Sequence, residues 1–156
     1  MLENIRNTVP EVAIRTTFIT GYPGETESDF NELMNFVQAS EFERLGVFTY
    51  SDEEGTAGFN HDQKVPHSVA VERRRKLMLL QAAISKKHNR ALIGRKLPVL
   101  IDKSDSKSST GRLFSQAPDI DGIVRVKGSE TLCGEFLDVL ITGAGEYDLN
   151  ARPAQQ

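Results

Sequence analysis

One cysteine, Cys133, stands in 156 residues. A lone thiol forms no internal disulfide, which fits a reducing compartment. It also cannot hold a structural zinc or an iron–sulfur cluster alone, because either needs several ligands. Long apolar runs are missing too: none approaches the roughly 18–20 residues that span a bilayer. The opening Met1-Leu2-Glu3-Asn4-Ile5-Arg6 lacks the basic-then-apolar order of a secretory signal. There is no Gly-x-Ser-x-Gly elbow and no Walker-type phosphate loop. His61, His67 and His88 are scattered without metal-ligand spacing. These absences predict no catalytic residue and no metal ligand set of the chain's own, no membrane partner, and a cytoplasmic location.

What is present is unevenly charged. The net charge of −3 conceals 3 Lys/Arg against 11 Asp/Glu in residues 1–60, and 8 against 2 in residues 61–93. Residues 94–156 are nearly balanced, 8 against 9. The central basic stripe reads either as a solvated helix face or as a contact for nucleic acid.

The first half alternates strand and helix. Residues 2–8 read as a helix end, stopped near Pro10. Ala13–Thr20 is β-branched and apolar, a buried strand. Gly21-Tyr22-Pro23-Gly24 is a turn. Thr26 with Asp29 three residues later predicts a capping box, and Phe30, Leu33, Met34 and Val37 follow a helical apolar stripe. Gly46–Ser51 reads as the next strand, parallel to the first in a βαβ unit. A polar stretch, Asp52 to Pro66, precedes a long helix at 69–92. Leu77, Leu80, Ile84 and Ala91 are expected on its apolar side and Arg73, Arg74, Arg75, Lys76, Lys86, Lys87 and Arg90 on its polar side, with Gly94 as the stop.

Beyond Gly94 the period changes. Leu97–Ile101, Arg112–Phe114, Gly122–Val126 and Phe136–Ile141 read as short strands, with Asp105 to Gly111 as a flexible turn. Closely spaced short strands predict a small barrel or sandwich. Two domains are therefore expected, 1–93 α/β and 94–156 all-β. Cys133 is expected in a turn as a structural or partly buried thiol. The loop Gly111–Gly122, bounded by Pro118 and Gly122 and carrying Asp119 and Asp121, suits a basic partner better than bond breaking.

Several stretches carry a family resemblance. Arg15–Thr26, with its Gly21-Tyr22-Pro23-Gly24-Glu25 turn, resembles the late strand and turn of the radical S-adenosylmethionine barrel of methylthiotransferases. Gly46–Thr56 resembles the next strand and loop, and Gln63-Lys64-Val65-Pro66 fits the approach to the basic helix. The segment from about residue 95 is similar to a TRAM domain, a small OB-like antiparallel β-barrel. The Gly111–Gly122 loop and Gly145-Glu146-Tyr147-Asp148-Leu149 resemble the RimO type. The resemblance implies a partial parallel β/α barrel remnant followed by that TRAM barrel.

By function, it implies methylthio transfer to an aspartate of the small-subunit ribosomal protein numbered twelve. The cofactors it implies are S-adenosylmethionine and two 4Fe-4S clusters. It places Thr20, Gly21, Glu25, Tyr50 and Ser51 beside the S-adenosylmethionine. A tight strand-to-helix turn with Glu25 near a helix N-terminus reads the same residues without any ligand.

Arg112, Asp119 and Asp121 are expected to hold the ribosomal protein or the ribosomal subunit: carboxylates pair with its Lys and Arg, and Arg112 positions the loop. The same aspartates also read as turn caps. The departure is the missing CxxxCxxC motif and the missing N-terminal cysteines. The chain is therefore expected to be an inactive fragment, truncated frame or separate subunit. Two alternatives stand beside this reading: a tRNA methylthiotransferase fragment gripping RNA, or a non-catalytic binding module. RNA contact through the basic helix stays open.

Overall fold

The computed structural model describes residues 1–129 and 131–154. Ten elements follow in order: α1 (Leu2–Thr8), β1 (Arg15–Thr20), α2 (Glu27–Ser40), β2 (Arg44–Thr49), α3 (His67–Ala91), β3 (Lys96–Ser104), β4 (Ser108–Arg112), β5 (Val124–Lys127), β6 (Phe136–Ala144) and β7 (Leu149–Pro153). The chain forms two compact units, Met1–Ile84 and Ser85–Gln156, which divide within α3.

In the first unit β1 and β2 pair in parallel, with Phe18 opposite Val47 and Ile19 opposite Phe48. Strand side chains alternate faces, so Phe18, Leu45 and Val47 turn toward the helices while Ile19 and Phe48 stay exposed. The capping box at the start of α2 forms as the sequence predicts. The Asp29 N–H donates to the Thr26 hydroxyl (3.2 Å), and the Thr26 N–H donates to the Asp29 carboxylate (2.8 Å). The Thr26 N–H and the Thr26 hydroxyl, which donates to the same carboxylate at 2.7 Å, hold the Asp29 carboxyl below the usual aspartate range, the backbone N–H contributing most. Phe30 and Val37 are buried from α2, and Leu77 and Ile84 from α3.

One expectation about α3 fails. Arg73 was expected on the polar side, yet it is buried. It shares the helical stripe of Ala70, Leu77, Gln81 and Ile84, and its burial is made tolerable by two carboxylates described below. Ala91, expected with the apolar residues, is exposed. The helix stops where Gly94 takes φ = 85°, a conformation glycine adopts without a Cβ penalty.

The second unit is a closed barrel in the order β3-β4-β5-β7-β6, with β6 returning to β3. Four pairings are antiparallel, and β5–β7 is parallel, with Val124 opposite Leu149. The reason is arithmetic: a ring with an odd number of strands cannot alternate direction all the way round. Val99, Ile101, Val124, Val126, Val139, Ile141 and Leu149 fill the interior and are essentially inaccessible to solvent.

Two details depart from the sequence reading. Ser108–Arg112, read as flexible turn followed by a strand at 112–114, is itself the strand β4. Its inward positions are the small residues Ser109 and Gly111, which a narrow barrel requires. A Cβ on Gly111 would lie 2.7 Å from Val99 Cγ1 and strike the Leu100 carbonyl. β7 has no counterpart among the strands expected from the sequence, although Leu149 and Ala151 alternate inward as a strand should. Among the described residues, no helix is long and apolar enough to cross a membrane.

Candidate functional site

The first locus lies where β1 and β2 end, the side on which parallel α/β sheets hold ligands. Thr20 closes β1 fully buried, and its hydroxyl donates to the Ala70 carbonyl of α3 at 3.0 Å. Gly21 follows with φ = 80°. A Cβ there would run into Ala70, with Ala70 Cα at 3.2 Å, so glycine is required for the turn to lie against α3. The Gly21 N–H donates to both oxygens of Glu25, at 3.1 and 3.0 Å.

Glu25 is in turn held by Arg73. One guanidinium nitrogen lies 2.5 Å from the carboxylate and 3.2 Å from the Glu25 carbonyl, and the other reaches Glu27 at 3.1 Å. Burial opposes the charge on Arg73, but Glu27 and Glu25 outweigh it and raise the guanidinium pKa above its usual value. Thr20, Gly21 and Glu25 are thus brought together by the structure, each with its polar group engaged inside the protein. Arg73 is the member that sequence reading missed. Its signal was spacing: it stands four residues before Leu77, on the buried stripe of α3.

Tyr50 and Ser51 lie just past β2. The Tyr50 ring meets Tyr22 edge-on at 5.3 Å. Burial pushes the Tyr50 phenol up from its ordinary value, and neighbouring Asp52 adds to the shift. Lys64 organises the long loop around it. Its ammonium pairs with Asp52, donates to the Gly58 and Phe59 carbonyls at 2.9 and 3.0 Å, and sits 5.7 Å from the Tyr50 ring. Gly21, Tyr50, Asp52, Lys64 and His67 line a cleft of about 190 Å³. Ser51 is exposed.

The second locus is the loop between β4 and β5. Gln116, buried, clasps it: its side-chain oxygen accepts from the Leu113 N–H at 2.8 Å, and its amide donates to the Gly122 carbonyl at 2.5 Å. Gly122 lies against the Tyr147 backbone with no space for a side chain. Asp121 turns inward and accepts from the Ala117 N–H at 2.6 Å. Arg112 forms an ion pair with Asp102 on β3. Asp119 is exposed, with φ = 64°. Asp102, Lys103, Arg112, Asp119 and Asp121 border a cleft of about 360 Å³. Phe114 and Ile120 are each 72% exposed on the same loop.

Cys133 is exposed in the turn before β6, and its thiol donates to the Asp102 carbonyl at 2.9 Å. Of the two expectations, a structural or a partly buried thiol in a turn, partial burial fails, because the residue is exposed. Among the described residues, no group of three or more His, Cys, Asp or Glu side chains is placed to hold a metal ion. With a single thiol, the donor set of this chain does not fit an iron–sulfur cluster.

The barrel defines the class. The family model for the TRAM domain matches residues 93–153, the stretch that forms the barrel. The particular likeness extends across both units. Ribosomal protein uS12 methylthiotransferase RimO of Thermotoga sp. (strain RQ2) is 46% identical over 149 residues, 96% of this chain. The proteins of the same name from Thermosynechococcus vestitus and Solibacter usitatus are 46% and 44% identical, each over 96% of this chain. The chain spans about a third of the length of these curated relatives, 33–34%.

The resemblance to the C-terminal portion of RimO-type methylthiotransferases therefore holds over nearly the whole sequence. One solved structure, a multidomain protein with nucleic acid binding domains from Streptococcus pneumoniae, overlaps 41% of the chain and 23% of its own. Its TM-score of 0.32 and 16% identity support no further argument.

Proposed function

We propose that this chain is the substrate-holding part of a methylthiotransferase that modifies an aspartate of ribosomal protein uS12. On this reading the TRAM barrel docks the ribosomal protein, and the first unit forms part of the wall around S-adenosylmethionine. The observation that carries it is the 46% identity to a uS12 methylthiotransferase over 96% of the chain, spread across both units rather than confined to the barrel.

The chemistry of the residues supports a division of labour. S-adenosylmethionine and the clusters supply radical chemistry when bound in the whole enzyme. This chain offers no thiolate set for a cluster, so it holds and orients. Thr20, Gly21 and Glu25 act by fixing the turn at the end of β1 against α3, since their own donors and acceptors are already engaged. Tyr50 lines the cleft beside Gly21, and the exposed Ser51 follows it in the chain. The boundary between the working parts is placed at 93/94, where α3 gives way to the barrel.

Titration of the chain with purified uS12, followed by calorimetry, tests the reading. Saturable binding to uS12 with no comparable binding to a tRNA anticodon stem-loop is the expected result. Preference for the stem-loop overturns it in favour of a tRNA-modifying relative. Incubation with iron and sulfide is expected to leave the 400 nm region without a stable cluster band, and a stable band would contradict the division of labour.

A further inference from the structure

We infer that the β4–β5 loop grips its partner mainly through Phe114 and Ile120, with Asp119 as the single steering charge, and that the partner segment presents an apolar side chain beside a lysine or arginine. This inference rests on the docking reading given above for the barrel.

Two neighbouring charged residues, Asp121 on the loop and Arg112 at the end of β4, are already engaged within the barrel unit. Asp121 accepts the Ala117 N–H and Arg112 is paired with Asp102. Asp119 has no partner among the described residues and stands exposed at positive φ. Such a conformation is unfavourable for a residue with a Cβ, though Asp and Asn tolerate it best. The Gln116 clasp keeps the loop in one shape, so little ordering cost remains on binding.

On that loop Phe114 and Ile120 are each 72% exposed. Exposed aromatic side chains on a rigid loop are what binding hot spots are made of. The adjoining cleft holds three carboxylates, Asp102, Asp119 and Asp121, against Lys103 and Arg112. That balance repels phosphate and favours a cationic segment, which selects a basic protein over RNA for this surface.

The test is a titration of the full chain with purified uS12, comparing the unsubstituted protein with Phe114→Ser/Ile120→Ser and with Asp119→Asn. Asn keeps the tolerance for positive φ while removing the charge, and both serines replace exposed side chains. The double variant is expected to lose affinity by at least about tenfold while its salt dependence and thermal midpoint stay unchanged. Asp119→Asn is expected to lose about threefold, through a slower and less salt-sensitive association.

Unchanged affinity in the double variant, with uS12 still bound by the unsubstituted chain, overturns the inference and leaves the docking reading standing. Absence of binding by the unsubstituted chain removes the docking reading itself, and this inference with it. A single-stranded RNA or a second copy of the chain, bound tightly and released by the double substitution, would assign the surface to another occupant and overturn the inference as well.

Discussion

The two units of this chain solve the same problem differently. The barrel closes its sheet, so every strand has two neighbours and its apolar residues face one interior. The first unit has a two-stranded parallel sheet covered on one face, with Ile19 and Phe48 exposed on the other, 54% and 64%. Parallel sheets normally have both faces covered, and open strand edges invite pairing. Closure makes one unit self-sufficient in hydrogen bonds and core. The other depends on long-range polar ties: Arg73 to Glu25 and Glu27, Thr20 to Ala70, and Arg6 to the Ser40 and Glu41 carbonyls.

That contrast is breakable. Arg73→Met should cost the most, about 4 kcal/mol, because it strips the largely covered Glu25 carboxylate of its ion-pair partner and leaves it only the Gly21 N–H. Amide exchange across residues 15–30 reads it, and Arg73→Lys should restore only part, lacking the fork that reaches two carboxylates. Ile141→Ala in the barrel should cost about 3 kcal/mol through the cavity it leaves, read as faster exchange across residues 96–153. If Ile141→Ala proved the costlier by a wide margin, the polar ties of the first unit would be ornamental.

Removing the α2 cap by Thr26→Ala should cost about 1 kcal/mol, seen in the urea midpoint. The same cap gives a pH dependence. Asp29 and Asp105 both have carboxyl pKa values below the ordinary 3.8, held down chiefly by backbone N–H groups of Thr26, and of Lys107 and Ser108. Their contribution is complete above 3.8 and lost as pH falls through the lowered folded values. Acid should therefore loosen the α2 start and the β3–β4 turn, and Thr26→Ala should blunt the first effect alone. The smallest change is expected from Phe48→Ser, within about 0.5 kcal/mol. It sharpens the comparison in another way, by lowering self-association of the chain in light scattering.

Sequence reading succeeded where local chemistry decides structure. Thr26 and Asp29 announced a cap, Gly94 a helix stop, and the β-branched run before Gly21 the strand β1. That strand is covered on one face only and not buried as the sequence suggests. It failed where the environment decides. Ser108-Ser109-Thr110-Gly111 looks like turn composition, yet a narrow barrel needs small inward residues at two of those positions. Leu149–Pro153 is short and polar on one side, and its strand pairing is set by partners at 124–126 and 139–144.

The site was half legible. Motif likeness brought out Thr20, Gly21 and Glu25, but composition hid Arg73 inside a run of three arginines. The loop aspartates looked alike in sequence. Geometry separates them, turning Asp121 inward to Ala117 and leaving Asp119 exposed.

Hydrogen–deuterium exchange on the chain with and without saturating uS12 addresses the central claim most directly. Added protection is expected to concentrate in residues 113–123 of the barrel, with β1, β2 and the turn between β1 and α2 unchanged. Protection confined to the first unit, with the β4–β5 loop exchanging as before, would contradict it.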